Sequence, residues 1–266
     1  MEKMNGVTIS TKKDGSIYYR SSVTYKRKHI SLGSFDTPDK AHQAYLEAVF
    51  LLRETKKLTL RDYSCTNFLS FEKWVVLLNF RDNGVYFPTP IYVRPHFFYY
   101  YYSQDLALKF DVDDLFYYAS HKIMKRGGHY FVADFGMQVN ILNRYGIKNY
   151  GVAGRDYTFL NGDCTDFRRE NLEIHNKYHG VIIVSGKTKT LYRALIHVKG
   201  NYLIGTYQTM EEAAIAYNKA IDIVRSHGCK KNYTPNYLEN IPAGVYADIY
   251  TRLPVSDKIK SLYFSE

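Results

Sequence analysis

Little in this chain points to a disulfide framework, a structural zinc site or a membrane anchor. Only three of its 266 residues are cysteine. Cys65, Cys164 and Cys229 lie far apart and form no C-x-x-C pair, so neither a disulfide scaffold nor a zinc knuckle is predicted. The most apolar run, Trp74 to Leu78, falls far short of the roughly 20 residues that cross a bilayer, and no basic start leads into an apolar signal stretch. A phosphate-binding glycine loop and a nucleophile elbow are also missing. Together these absences predict a soluble, cytoplasmic protein in a reducing compartment, with no membrane partner, no bound metal and no cofactor. What is present, 45% hydrophobic residues, suffices for the cores of two or three small domains.

Acidic charge is scarce only in places. The formal net charge is +10, and it is concentrated. Residues 1–58 carry 11 Lys/Arg against 6 Asp/Glu, and residues 179–232 carry 8 against 3, whereas the remainder holds 17 of each. A basic excess confined to two segments is the electrostatic footprint expected of a polyanion binder, whereas basic residues that merely solvate a surface would be spread more evenly.

The same two segments contain an internal repeat. Leu32-Gly33-Ser34-Phe35-Asp36-Thr37 is followed by Ala41, Ala44, Tyr45 and Ala48. Ile204-Gly205-Thr206-Tyr207-Gln208-Thr209 is followed by Ala213, Ala216, Tyr217 and Ala220, each 172 residues after its counterpart. The i, i+3, i+4, i+7 spacing predicts a helix whose small residues allow close approach to a sheet. Thr37 and Thr209 read as N-caps, followed by Asp39 in one copy and by Glu211 and Glu212 in the other. Upstream, segments rich in Val, Ile, Tyr and Thr separated by turn signals predict three antiparallel strands per copy: Val7 to Ser10, Ile17 to Tyr25 and His29 to Ser34, then Val181 to Val184, Leu191 to Val198 and Asn201 to Tyr207.

A leading Gly-Val, a central strand, (Leu/Ile)-Gly-(Ser/Thr)-aromatic-x-Thr and an Ala-rich helix resemble the plant ethylene-response-factor (APETALA-type) DNA-binding domain, over about 45 residues in each copy. The resemblance implies a sheet laid in the major groove of double-stranded DNA, with alternate side chains touching bases and phosphates. In the first copy it assigns Thr8, Ser10, Arg20, Ser22, Thr24, His29 and Ser31 to the groove face, with Lys12, Lys13, Lys26, Arg27 and Lys28 in adjoining loops. The second copy's set is Ile182, Val184, Arg193, Leu195, His197, Asn201 and Leu203, with Lys187, Lys189 and Lys199 near its turns. This face is far more apolar, which leaves it open whether the second copy contacts DNA or packs on another part of the chain or a partner.

Between the repeats, Arg155-Asp156-Tyr157-Thr158-Phe159-Leu160-Asn161-Gly162-Asp163, leading into Asp166-Phe167-Arg168-Arg169-Glu170-Asn171-Leu172, is similar to the core of HNH homing endonucleases. Asn143-Arg144 stands where that family shows His-Arg. The chemistry needs a histidine to deprotonate water, an asparagine to position it and further groups to ligate a divalent metal. On alignment the general base becomes Phe159, its preceding acid becomes Thr158, and the asparagine after Asp166 becomes Phe167; the nearest histidine, His175, lies beyond Asn171. The resemblance therefore implies a degenerate nuclease without catalytic residues, in which Asn171, Asp163 and Arg168 serve the turn, a cap and backbone phosphates.

Other motifs are weaker. Phe97 to Tyr102 reads as a strand buried on one face and used for packing or subunit contact on the other, in preference to a base-stacking platform. Asp113 and Asp114 open a helix rather than a metal loop, Phe71 to Leu78 reads as a core helix, and His121 and His129 lack ligand spacing. The expected fold is α+β: an ethylene-response-factor-like module at 1–58, a central degenerate HNH-like (ββα-metal-like) domain at 59–178, a second module at 179–232 and a tail at 233–266. The expected protein is not an enzyme. It is a sequence-specific double-stranded DNA binder, a nucleoid-associated regulator or architectural factor of a mobile element, phage or bacterial genome, with homo-oligomerisation through the aromatic centre as a further expectation. The alternatives are an active metal-dependent HNH endonuclease with a rearranged site, and an RNA-binding or protein-interaction module.

Overall fold

The computed structural model describes residues 4–53, 58–186 and 189–264. The fold is mixed α+β and contains several small three-stranded antiparallel sheets. The chain forms two compact units: Met1–Val139 with Asp163–Arg169, and Asn140–Gly162 with Glu170–Glu266.

In the first unit, β1 (Val7–Thr11), β2 (Ile17–Tyr25) and β3 (Lys28–Phe35) form a sheet in that order, and α1 (Pro38–Arg53) packs on it. Ala41, Ala44 and Ala48 are fully buried, as the helical spacing requires. The sheet sends Ser21, Val23, Ile30 and Leu32 to the same side. Gly6 explains why the repeat opens on glycine. Its φ of +77° is left-handed, and a Cβ there would collide with the Tyr45 ring, which lies across this corner of the sheet. Gly180 and Tyr217 reproduce the arrangement in the second copy, at φ +70°.

The rest of this unit builds outward from α2 (Phe71–Asn83), capped by Ser70, whose side chain accepts from the Lys73 N–H. Trp74 through Phe80 are all buried, as expected of a helix enclosed on every side: α2 packs against α1 and against the sheet formed by β4 (Ile91–Val93), β5 (Phe97–Ser103) and β6 (Leu106–Asp111). Strand alternation divides the aromatic tract. Phe98 and Tyr100 are buried beside Phe110 and Tyr118, the latter on α3 (Leu115–Ser120), whereas Phe97, Tyr99 and Tyr101 project from the other face and are half-buried. Asp113 and Asp114 do lie in the short 3₁₀ turn that leads into α3. A third sheet contains β7 (Met124–Arg126), β8 (His129–Asp134) and β9 (Met137–Asn140).

In the second unit, β10 (Tyr157–Phe159) pairs with β11 (Leu172–Ile174). The second copy follows as β12 (Val181–Ser185), β13 (Thr190–His197), β14 (Asn201–Tyr207) and α4 (Met210–Ser226), and Thr209 forms a capping box with Glu212. Ala213, Ala216 and Ala220 are fully buried against the sheet. The segment after α4 is part of this module's core. Tyr233, Leu238, Leu253, Val255 and Ile259 join it from the stretch containing α5 (Ala243–Arg252) and α6 (Asp257–Lys260). Lys219 on α4 donates to the carbonyls of Tyr250, Thr251 and Leu253, satisfying the acceptors that α5 leaves open at its C-terminus.

Both copies carry a β-bulge at the same place, between Ser21 and Ser22 in one and between Ala194 and Leu195 in the other. At the bulge the first copy buries Ser21 Oγ with no hydrogen-bond partner among the described residues, where the second copy has Ala194. A buried, unsatisfied hydroxyl destabilises by about 1–3 kcal/mol. Ser21→Ala is therefore expected to raise unfolding stability by about 1 kcal/mol, read as a higher urea midpoint at unchanged slope.

Candidate nucleic-acid interface

Because α1 covers one side of the first sheet, the alternate residues meet solvent. Thr8, Arg20, Thr24, His29 and Ser31 are exposed and Ser10 and Ser22 half-exposed, all on the face away from the helix. Cross-strand pairing brings them into rows: Thr8 opposite Arg20, Arg20 opposite Ser34, Ser22 opposite Ser31 and Thr24 opposite His29. The face is polar throughout, in a sheet the width of three strands.

Arg20 is held in place on this face. Its Nη2 and Nε donate to the Tyr18 hydroxyl at 2.7 and 3.2 Å, and the guanidinium lies 5.4 Å from the Tyr18 ring centroid. Ordering the longest side chain of the face before any ligand arrives lowers the entropy lost on binding. Lys12 and Lys13 are exposed in the β1–β2 turn.

Lys26 and Arg27 form the entire two-residue connection between Tyr25 and Lys28, at φ +44° and +65°. Hairpins of this length favour left-handed residues, normally Asn-Gly, and a side chain costs about 1 kcal/mol or more in such a conformation. The strained turn presents two cations at the hairpin tip beside exposed Lys28.

The second copy keeps the fold but changes the face. Arg193, His197, Asn201 and Lys199 are exposed; so is Leu203, at 47%, with Ile182, Val184 and Leu195 half-buried around it. Lys189 donates to Gln208. Lys187 lies outside the described residues. Ile182, Leu195, His197 and Asn201 line a hollow of about 420 Å³ together with Lys148, Arg155 and Tyr150 from earlier in the chain and Lys231 and Tyr233 from beyond α4. Lys231 and the Tyr233 hydroxyl both donate to the His197 carbonyl. This face is thus partly walled by the chain itself, one of the two arrangements its apolar character leaves open.

The nuclease-like residues fall into separate structural roles. Phe159 closes β10 and meets Tyr157 edge to face. The Asn171 side chain, buried, accepts from the Asn161 N–H at 2.8 Å, and its carbonyl accepts from the Leu160 N–H. Asp163 accepts from the N–H and hydroxyl of Thr165 in the following turn. Phe167 is buried and stacks on Phe110, which makes it a core residue. Arg168 pairs with buried Asp166 through two bonds, 2.9 and 2.7 Å, and Asp166 also lies 3.4 Å from Lys109. Asn143 is exposed in the 3₁₀ turn Ile141–Tyr145. Pairing of β10 with β11 brings together two groups that linear distance hid: Thr158 Oγ1 and His175 Nε2 are 2.7 Å apart, and Glu173 Oε2 is 3.8 Å from the same nitrogen. Among the described residues, no three His, Cys, Asp or Glu side chains assemble as a metal site.

Asp156, four residues upstream of the motif's Leu160, is the buried charge around which this part of the second unit is arranged. Its carboxylate accepts from the Val152 N–H, Asn176 Nδ2 and Arg155, and Lys148 Nζ stands 3.1 Å away. Burial opposes its ionisation, but these donors outweigh burial and hold the carboxyl below its usual value. Burial also pulls the Lys148 ammonium down against the attraction of Asp156. In the acid range Lys148 stays protonated, so Asp156 sets the acid sensitivity of the pair.

Comparison with known proteins finds no family model, no curated protein and no solved structure that matches the chain.

A carboxyl whose folded pKa is depressed contributes stability above its unfolded pKa of about 4 and loses it as pH falls through the folded value. Asp156→Asn is expected to cost about 3 kcal/mol at pH 7, as breaking a buried ion pair does. It should also reduce the loss of stability that the unmodified protein shows below about pH 4, where protonation of Asp156 removes the same interaction. Urea unfolding at pH 7 and at pH 3 measures both.

Proposed function

We propose that this protein is a sequence-specific double-stranded DNA-binding protein, a regulator or architectural factor, whose first module reads the major groove with the outer face of its sheet. The observation that carries the reading is the row of exposed Thr8, Arg20, Thr24, His29 and Ser31, with half-exposed Ser22, opposite the helix-covered face and bordered by Lys12, Lys13, Lys26, Arg27 and Lys28. A ribbon of strands of this kind fits the major groove, where Arg recognises guanine bidentately. The segment holding this face carries half of the net charge, which suits the phosphate backbone.

The second module is the weaker contributor, because its outer face is apolar and partly walled. Where both modules engage one duplex, linkage makes the second contact intramolecular and raises affinity about 10²-fold or more. The centre is read as a nuclease-derived scaffold that no longer cuts: Phe159 and Phe167 stand where water activation and metal binding need histidine and asparagine. Metal-dependent cleavage has one observation in its favour, the Thr158–His175–Glu173 contact. A plasmid-nicking assay with Mg²⁺ or Mn²⁺ decides; cleavage lost in His175→Ala, Asp163→Ala or Asn171→Ala overturns the binding-only reading.

Fluorescence anisotropy with random-sequence duplex at about 50 mM salt should show binding that weakens steeply as salt rises. Absence of binding, or insensitivity to salt, defeats the proposal, and stronger competition by RNA or heparin than by duplex would reassign the partner. After selection of sites from random duplexes, Arg20→Ala is expected to relax one position by about 1–3 kcal/mol; an unchanged motif excludes Arg20 as a reader.

The strained hairpin tip gives a second test. Arg27→Gly should raise unfolding stability by about 1 kcal/mol by relieving the left-handed turn. At the same time it should weaken duplex binding and lower the salt slope by about one.

A further inference from the structure

The sheet β4–β5–β6 has an aromatic face that duplex binding does not use. We propose that it is a stacking platform for the unpaired bases of a single nucleic-acid strand, with cations beside the rings engaging its phosphates.

Alternation along β5 places Phe97, Tyr99 and Tyr101 in file on this face. Phe97 and Tyr99 meet edge to face with centroids 5.2 Å apart, and Tyr99 and Tyr101 follow at 5.9 Å. Tyr92 pairs with Tyr99 across from β4, widening the platform to two rings. On the β6 side, Tyr101 pairs with Ala107, which is too small to cover a ring. Tyr92, Tyr99 and Tyr101 line a groove of about 1470 Å³ with Phe71 and with Arg61 and Arg94. Such a row of half-buried rings offers π faces, and bases can use them only when they are not already paired and stacked in a duplex.

The charges fit a polyanion. The Arg94 guanidinium lies 4.9 Å from the Tyr92 centroid; Lys109, whose Nζ lies 4.4 Å from that of Phe97, is already engaged by Asp166 at 3.4 Å, so Arg94 and Arg61 are the cations offered to a strand. Arg61 and Arg94 are exposed and make no ion pair among the described residues. Of the acids lining the groove, Asp82 is engaged by Arg81 and the Tyr92 hydroxyl, which leaves exposed Asp105. Arginine beside an aromatic ring adds cation–π attraction and a phosphate donor at one place. The platform does not depend on the first module's sheet, so either proposal can fail alone.

The test is anisotropy of the full chain with a labelled oligothymidylate of about 12 nucleotides, at about 50 mM salt. Binding is expected. Tyr99→Leu and Tyr101→Leu should each weaken it about tenfold, the loss of one stacked base, while Tyr99→Phe retains it. Arg94→Gln, at an exposed site, should weaken binding and flatten its salt dependence. Melting curves check that each variant is folded. Duplex binding should be unchanged in the Tyr variants, and strand binding unchanged in Arg20→Ala. The inference is overturned if the oligonucleotide does not bind, if the leucine variants bind it as well as the unmodified chain does, if duplex displaces it from the same site, or if a proline-rich peptide binds the platform in preference. Loss of duplex binding with platform-dependent strand binding intact would defeat the proposed function and leave this inference standing.

Discussion

Everything proposed for the ends of this chain depends on one packing constraint, an alanine-lined helix seated directly on a three-stranded sheet. Ala41, Ala44 and Ala48, and their counterparts Ala213, Ala216 and Ala220, have no side chain beyond Cβ, so the helix backbone approaches the strands closely. A sheet only three strands wide has two faces, and the helix packs on one of them. The side chains between the buried ones must therefore point outward, and what they are decides what the module can bind. Gly6 and Gly180 belong to the same constraint, since the ring of Tyr45 or Tyr217 occupies the space a Cβ would need.

One architecture therefore carries two different surfaces. Thr8, Ser10, Ser22 and Ser31 on the outward positions of the first copy correspond to Ile182, Val184, Leu195 and Leu203 in the second, and the second copy differs in this way while keeping the bulge, the capping threonine and the alanine stripe. Its core has grown as well, because the chain beyond α4 returns to pack on it through Leu253, Val255 and Ile259.

The central stretch uses its aromatic side chains for packing. Phe167 stacks in an apolar core and Phe159 packs on Tyr157, so both contribute burial where the nuclease resemblance calls for water activation and metal ligation. The carboxylates of this stretch, Asp156 beside Lys148 and Arg155, and Asp166 beside Arg168 and Lys109, are buried and each is engaged by the cations around it. Their geometry suits holding loops in place.

Much of this was legible in linear order. The repeat of glycine, threonine and alanine predicts both sheet-plus-helix modules, because a period of two and a period near four leave unmistakable marks on which residues must be small or apolar. The same alternation predicts which residues of β2 and β3 share an outward face, and the excess of Lys and Arg locates charge without any coordinates. The left-handed Lys26–Arg27 turn and the orphaned Ser21 hydroxyl were not legible, because they depend on strand register and on the bulge after Ser21, and the Arg20–Tyr18 contact was not, because it depends on side-chain rotamers. His175 beside Thr158 and the aromatic groove depend on chain segments distant in sequence meeting in space. Local periodicity determined the elements and their faces; only tertiary packing decided which side chains meet, because a contact is fixed by the register and closure of several segments at once and no single segment encodes it.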